Sequence, residues 1–247
     1  MNNSENSEIE TYFASIAENY DRIQPIIVGP SYDRGLQMVI DLIPYGVNDE
    51  FQFVELGCGT AEPSFRVLTR FPSARGICID NEPAMLEIAR KKLSSYQNRS
   101  VVQESDISVC KIPSCNVVYS TLAFHHVSLE KMSAVIQRIF EALSPGGCFI
   151  LYEHLSTTPV IDTKVRQQWN RINQQYINEA VAAGRVTQGE IDARWSFKRR
   201  MKTEGKDTEY YHSAEDILQK MRESGFTESG LVWRMFQATI LMGFKQE

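Results

Sequence analysis

The chain has 247 residues, 43% of them hydrophobic and 23% charged, with a formal net charge of -5 at pH 7. That balance excludes a disordered or fibrous protein, and the length allows one full domain with an inserted segment. The excess of 31 Asp and Glu over 26 Lys and Arg argues against a nucleic-acid partner, which needs clustered cations.

No apolar run is long enough to span a bilayer, and the acidic start MNNSENSEIE does not read as a signal peptide, so a cytoplasmic protein with no membrane contact is expected. Five cysteines cannot all pair. Cys58, Cys78, Cys110, Cys115 and Cys148 follow neither disulfide nor zinc spacing and read as small buried thiols, with no metal site.

Met1 to about Glu8 is polar. Tyr12, Phe13, Ile16 and Tyr20 then recur at helical spacing, up to a break over Pro25–Pro30. Ser31 is placed to cap a second helix that turns Leu36, Val39, Ile40 and Ile43 inward and ends at Pro44-Tyr45-Gly46. From Phe51 the rhythm changes. Short apolar runs at Phe51–Leu56, Gly76–Ile79, Ser100–Val102, Asn116–Thr121 and Cys148–Tyr152 predict strands, and Pro63–Arg70, Pro83–Leu93 and Leu129–Leu143 predict helices. Pro63 and Pro83 suit first-turn positions, and Ser144-Pro145-Gly146-Gly147 is expected to stop the last helix before the fifth strand. Such alternation means a parallel sheet covered on both faces.

After Tyr152 the alternation ends. Leu155 to His212 is polar and helical in pattern, with a stripe of Val165, Trp169, Ile172 and Tyr176 that stops at Gly184. Thr187 and Glu190 form a capping box for a further helix carrying Ile191, Arg194 and Trp195. The segment is too long for a loop and reads as a cap over the sheet's binding edge. Ser213 caps another helix ending at Gly225-Phe226, and strands near Gly230–Arg234 and Ala238–Phe244 close the chain. The expected organisation is one domain over 1–247, with an N-terminal helical lid (9–45), a core (50–153), a cap (155–212) and a closing helix and hairpin (213–247).

Chemistry concentrates in VELGCGTAEPS, Val54 to Ser64. The loop follows a parallel strand, so it faces the crevice where open α/β sheets bind ligands. Gly57 and Gly59 remove the Cβ atoms that hold a ligand away from backbone N–H groups. A dinucleotide loop wants a third glycine at 62, where Glu62 stands and would repel phosphate. Asp80 ends the second strand about 20 residues further on, where a carboxylate accepts both ribose hydroxyls. Asp106, in ESDI after the third strand, is placed to accept from an adenine amine. The bland alternative makes Asp80 and Asp106 solvated strand-end acids and Glu55 a helix-dipole partner. Three acids on consecutive strand tips fit a nucleoside bearing an amine and hydroxyls and no phosphate, which points to S-adenosylmethionine.

VELGCGTA, ICIDNEPAMLEIAR, ESDI, VVYSTLAFHHV and LSPGGCFILYE, in that order, resemble the class I S-adenosylmethionine-dependent methyltransferases over roughly Glu50 to Glu153, with Ala61 in place of that family's third glycine. The resemblance implies an α/β, Rossmann-like, seven-stranded mostly parallel sheet with a reversed final hairpin, N-terminal helices and a helical cap after strand 5. It implies that Glu55, Gly57 and Gly59 lie around the methionine moiety, Asp80 at the ribose, and Asp106 with Ile107 at the adenine. Cys58, Asn81, Met85 and Thr121 complete that cofactor set. IAENYDRIQPIIVGPSYDRGL and GFTESGLVWRMFQATILMGFK are similar to the carboxy-S-adenosylmethionine synthase branch and its methyltransferase relatives, which implies that Tyr20 and Tyr32 lie against the cofactor. The loop GCGTA and the longer insert depart from that synthase and favour an ordinary methyltransferase.

Phe124-His125-His126 follows the fourth strand at the crevice edge. His126 or Glu153 is the candidate catalytic base, and scaffold is an equal reading for the histidine. The cap's aromatic residues are core by default and its basic residues a solvated face. From them Trp169 and Tyr210 are expected to line the substrate pocket, and Arg199 to pair a substrate carboxylate. The expected activity is methyl transfer to an oxygen or nitrogen of a small molecule. Carboxy-S-adenosylmethionine synthase-like modification of the cofactor, or a non-catalytic adenosylmethionine-binding module, are the alternatives, and a homodimer stays open.

Overall fold

The computed structural model of the chain describes residues 19–204 and 209–246. Tyr12, Phe13 and Ile16 lie outside them. The chain is helical over residues 19–28 (α1), then forms α2 (Ser31–Asp41), β1 (Gln52–Leu56), α3 (Glu62–Arg70), β2 (Arg75–Asp80), α4 (Pro83–Lys92), β3 (Ser100–Glu104) and β4 (Cys115–Thr121). After β4 come α5 (Leu129–Ala142), β5 (Leu143–His154), α6 (Pro159–Ala182), α7 (Gln188–Thr203), α8 (Ala214–Glu223), β6 (Glu228–Met235) and β7 (Ala238–Phe244). The strands form one seven-stranded sheet in the order β3-β2-β1-β4-β5-β7-β6. The pairs among β1 to β5 are parallel, and β7 runs antiparallel to both its neighbours. The expected Rossmann-like sheet with a reversed closing hairpin is the observed one.

Alternation along the strands supplies both faces. Phe53, Val117, Tyr119, Ile150 and Tyr152 pack under α2, α3 and α4. Val54, Leu56, Val118, Phe149 and Leu151 pack under α5 and α8. A third, smaller cluster joins Ile26 and Ile27 of α1 to Ile177, Ala180, Val186 and Ile191 of the α6–α7 segment. Among the described residues no helix is long and apolar enough to cross a membrane. All five cysteines are buried and free.

Four local expectations are corrected. Helix α1 runs through Pro25 to residue 28, so the break is confined to Gly29-Pro30, with Gly29 at φ 85°. Ser31 does not cap α2: Pro30 holds that position, and the Ser31 hydroxyl is buried without a partner. Its carbonyl instead accepts from the Tyr152 hydroxyl at 3.0 Å. Ser144-Pro145-Gly146-Gly147 is not a loop between α5 and β5. Leu143 leaves the helix and pairs with Cys115, and the strand absorbs the glycines through an irregularity in its pairing with β4. Phe124-His125-His126 forms a 3-10 turn and not an extended strand end. The caps downstream match the sequence: Thr187 and Glu190 make both capping-box bonds, Ser213 accepts from the Asp216 N–H, and α6 stops just before Gly184 at φ 68°.

Helix α2 approaches β5 so closely that a Cβ on Gly35 would lie 2.3 Å from the Tyr152 ring. Because Tyr152 is fully buried and tied to Ser31, the ring has no room to move. Gly35→Ala is therefore expected to lower unfolding free energy by about 2–3 kcal/mol through overpacking, read from the urea midpoint. An unchanged midpoint would mean that α2 shifts freely on the sheet.

Candidate functional site

Above the carboxyl ends of β1, β2 and β4 lies a cleft of about 510 Å³. The turn after β1 forms its floor. Gly57, Gly59 and Ala61 all take left-handed backbone angles, φ 72°, 51° and 57°, a conformation that costs a non-glycine residue roughly 1 kcal/mol. A Cβ on Gly57 would strike Ala123, whereas one on Gly59 would meet nothing within 4 Å. Gly59 thus opens its backbone toward the cleft. The turn is pinned to β2: the N–H groups of Gly57 and Cys58 donate to the Ile79 carbonyl at 2.8 and 3.0 Å.

Asp80 completes that pinning. Its carboxylate accepts from the Gly59 N–H at 2.7 Å and the Glu82 N–H at 3.0 Å. Burial raises its carboxyl from the ordinary value, with the N–H groups of Gly59, Glu82 and Asn81 pulling the other way. Asp106 is exposed and bonds locally, Oδ1 to the Ser108 N–H at 2.7 Å and Oδ2 to the Ser108 hydroxyl at 2.9 Å.

Of the residues expected at the cofactor, Tyr20, Tyr32, Gly57, Cys58, Gly59, Asp80, Asn81, Met85, Asp106, Ile107 and Thr121 all line this cleft. Glu55 does not. It shares the face of Phe53 along β1, so its side chain runs beneath α3 and is fully buried. There it accepts from the Ser64 hydroxyl, which also meets the Tyr119 hydroxyl at 2.9 Å and the Cys78 thiol at 3.1 Å. Its second oxygen has no partner, and burial pushes the carboxyl up to about 8. Glu62 does reach the cleft, but Arg66 and Lys92 pair it at 2.9 Å each, so its charge is already met.

A second chamber of about 460 Å³ adjoins the first. Tyr20, Gln24, Leu122, His126 and Tyr210 line both. Sequence reasoning missed Gln24 and Leu122. Gln24 follows Tyr20 by one helical turn and was legible on that ground; Leu122, at φ 53°, carries no sequence signal for its left-handed turn. The expected substrate residues Trp169 and Tyr210 line the chamber, while Arg199 is exposed and bonds to Ser196. Arg194 and Lys198 of the same helix reach the wall in its place, one helical turn apart.

The two candidate bases are rearranged. Glu153 lies beneath the chamber, 1% exposed, and accepts from the His125 N–H at 3.1 Å, the His154 N–H at 2.7 Å and the His125 ring Nδ1 at 3.0 Å. Burial alone would raise its carboxyl, yet the His125 ring and the His154 N–H hold it down to about 2. His125 is raised in return: burial opposes the charge, and Glu153 outweighs burial. Burial and the adjacent His125 ring, 4.2 Å away, push His126 down to about 4. His125, held by a carboxylate and facing the chamber, is the better-placed base, and His126 stands neutral at the junction.

Glu55 gives a sign for stability. Unfolded, it titrates near 4.5; folded, near 8. Between those values the native state keeps a proton that the unfolded chain has released, so this group lowers stability as pH rises through the window. Glu55→Gln, which keeps the shape and cannot ionise, is expected to flatten the decline in unfolding free energy between pH 5 and pH 8. Parallel slopes for the two proteins in urea titrations would show that Glu55 ionises freely.

Residues 53–147 match a family described as a methyltransferase domain. Carboxy-S-adenosyl-L-methionine synthase of Salmonella paratyphi C is 27% identical over 240 residues, covering 95% of this chain and 91% of that protein. The Klebsiella pneumoniae protein of the same name is 30% identical over 151 residues, or 59% of this chain. Among solved structures, human N-acetylserotonin methyltransferase in complex with SAM matches with a TM-score of 0.59 at 14% identity, over 95% of this chain and 59% of that one. An O-methyltransferase family protein from Burkholderia thailandensis matches with a TM-score of 0.58 at 17% identity, over 85% and 56%. The chain spans little more than half the length of those two structures, and at such identities they speak for the fold. The strand order, the glycine turn pinned to β2 and the methyltransferase domain matched over residues 53–147 together support a class I S-adenosylmethionine-dependent methyltransferase.

Proposed function

We propose that the protein transfers a methyl group from S-adenosylmethionine in the first cleft to an oxygen or nitrogen of a small molecule in the second chamber. The observation that carries this reading is the shared wall: Tyr20, Gln24, Leu122, His126 and Tyr210 border both spaces, so occupants of the two would meet there. The open cradle over Gly59 fits the cofactor, since a bulky group can approach backbone without meeting a side chain.

Bound there, S-adenosylmethionine supplies a methyl group already activated on a sulfonium centre. The chain's part is to orient and to manage a proton. Asp80 would receive the ribose hydroxyls, Asp106 and Ile107 would face the adenine, and Gly57 to Gly59 the methionine moiety. Tyr20 and Tyr210 would exclude water at the junction, where alignment of the nucleophile does most of the catalytic work. Where the acceptor is a hydroxyl, His125 would take its proton, with Glu153 fixing the ring and stabilising the imidazolium. A neutral amine acceptor needs no such base.

The carboxy-S-adenosyl-L-methionine synthase of Salmonella paratyphi C, aligned along 95% of the chain, supports a second reading in which the cofactor itself is modified. The mass of the nucleoside released from the purified protein separates the two. Adenosylmethionine or adenosylhomocysteine supports methyl transfer, and a carboxylated sulfonium overturns it. Labelled adenosylmethionine offered with a panel of phenols, acids and amines then identifies the acceptor.

Asp80→Ala is expected to weaken adenosylhomocysteine binding by about 2–4 kcal/mol. Because Asp80 also secures the Gly59 turn, it should cost about 1 kcal/mol of stability as well. Calorimetry and urea unfolding check both, and an unaltered binding constant would remove Asp80 from the site.

His125→Ala is expected to slow single-turnover transfer to a hydroxyl acceptor by about 10²–10⁴-fold with cofactor affinity intact, and His126→Ala far less. Protonation of His125 removes the base, so the rate should fall with decreasing pH along a limb centred above pH 6.5, and Glu153→Gln should move that limb to lower pH. Equal losses at both histidines, or a limb that Glu153→Gln leaves in place, would assign the pair to scaffolding.

A further inference from the structure

We propose that Lys92 is a positioning residue that clasps α1 over the adenosylmethionine cleft. The inference rests on the reading of that cleft as the cofactor site. Three stretches far apart in sequence meet at this ammonium: α1, the glycine turn that leads into α3, and α4, which carries it. Its Nζ lies 2.6 Å from Oδ2 of Asp21 on α1 and 2.9 Å from Oε2 of Glu62 at the start of α3. It also lies 3.4 Å from the hydroxyl of Thr60 in the glycine turn. The Thr60 hydroxyl in turn donates to the other Asp21 oxygen at 2.5 Å. The Lys92 side chain is 14% exposed, Glu62 25% and Asp21 39%, so solvent screens the Asp21 end of the cluster more than the Glu62 end.

The clasp matters because of what α1 carries. Tyr20, the neighbour of Asp21, lines the cofactor cleft and the adjoining chamber, and Gln24 does the same one turn later. The apolar side of α1 faces away from the glycine turn: Ile26 and Ile27 pack with Ile177, Ala180 and Ile191 of α6 and α7. Arg22 pairs with Glu190 of α7 and donates to the Arg185 carbonyl at 3.0 Å, and Asn173 of α6 donates to the Ile27 carbonyl at 2.9 Å. Helix α1 is thus packed onto the cap by hydrophobic contact and fastened to the glycine turn by ions. Val28 at the end of α1 is rooted in the main core, so the polar fastening governs the turns ahead of it. Lys92, Thr60 and Glu62 therefore set whether Tyr20 lies over the cleft, and the cap moves with α1. Cofactor seated beneath Tyr20 would stabilise the fastened position and so complete the acceptor chamber, which predicts that cofactor binds before acceptor.

The test measures adenosylhomocysteine binding by calorimetry in the wild type, Lys92→Met, Lys92→Arg, Asp21→Asn and the double variant Lys92→Met with Asp21→Asn. Lys92→Met and Asp21→Asn are each expected to raise the dissociation constant about tenfold, and the double variant no further than the weaker-binding single one, because both cut the same contact. Lys92→Arg keeps the charge and should restore most of the affinity. Hydrogen exchange of the unliganded proteins gives a readout independent of ligand: amides of residues 19–28 should exchange faster in Lys92→Met and Asp21→Asn, with the sheet unchanged. Full additivity in the double variant, or wild-type affinity and exchange in both single variants, would overturn the clasp. Wild-type protein that binds no adenosylhomocysteine would instead sink the cofactor reading itself. Asp21 is exposed enough that its amide variant should fold even where Lys92→Met does not.

Discussion

Three alternate residues in the left-handed region, Gly57, Gly59 and Ala61, govern how the rest of the site is laid out. A chain that leaves a parallel strand and must enter a helix on one face of the sheet has to reverse sharply, and this one does so over the end of β2. Four of the N–H groups released by the reversal are met within the protein. Two donate to Ile79, one to Asp80, and that of Ala61 to the Cys58 carbonyl at 2.7 Å. Asp80 is therefore both a candidate ligand group and a strut: the acid that would receive ribose also fixes the backbone that would receive the amino acid. Ala61 bears the left-handed strain that glycine would avoid. It is fully buried in the cluster beneath α2 and α3, so its methyl group gains contact that partly offsets that cost.

Glu55 and Glu153 show how little burial alone decides. Both are at most 1% exposed, on strands separated by β4. Glu55 meets only a hydroxyl and leaves one oxygen unpartnered, so the low-dielectric interior favours its neutral form and the carboxyl rises to about 8. Glu153 meets an imidazole and two backbone N–H groups, so the charged form wins and the carboxyl falls to about 2. One becomes a neutral structural acid and the other a fixed anion that orients His125. The difference lies in which groups the 3-10 turn after β4, the end of β5 and the first turn of α3 bring alongside.

Strand identity and the cleft residues Gly57, Gly59, Asp80 and Asp106 were legible because each depends on short-range pattern: apolar runs, acids at strand tips, glycines at a turn; the seven-stranded sheet with its reversed hairpin came from the family resemblance. The strand period itself would have placed Glu55 with Phe53 beneath a helix, but a motif read as a string of ligand residues hides that alternation. Arg199 failed for a related reason. Cationic and aromatic residues crowd positions 194 to 200 of α7, so sequence does not say which cations turn inward; in the structure Arg194 and Lys198 reach the chamber and Arg199 does not. Ser144-Pro145-Gly146-Gly147 carries strong turn chemistry, yet pairing with β4 and with the end of β7 overrides it. His125 and His126 are adjacent and alike in sequence, and only the long-range approach of Glu153 tells them apart.

The expected preference against phosphate does not rest on an unpaired charge at Glu62. That carboxylate lies in a cluster with Lys92, Arg66 and Asp21, and the two cations hold its carboxyl below the ordinary value despite burial. A dinucleotide cradle works because the first turn of the helix offers free N–H groups and the positive end of its dipole to the pyrophosphate. Here the first helical residue, Glu62, already places a negative charge at that end, and the second, Pro63, has no N–H to give. The Phe65 N–H is taken by the Ala61 carbonyl at 2.9 Å. A phosphate would thus find an occupied dipole and missing donors, and its own hydration would be lost without replacement. The amino-acid end of adenosylmethionine carries an ammonium group beside its carboxylate, and the backbone open over Gly59 would give it room to approach.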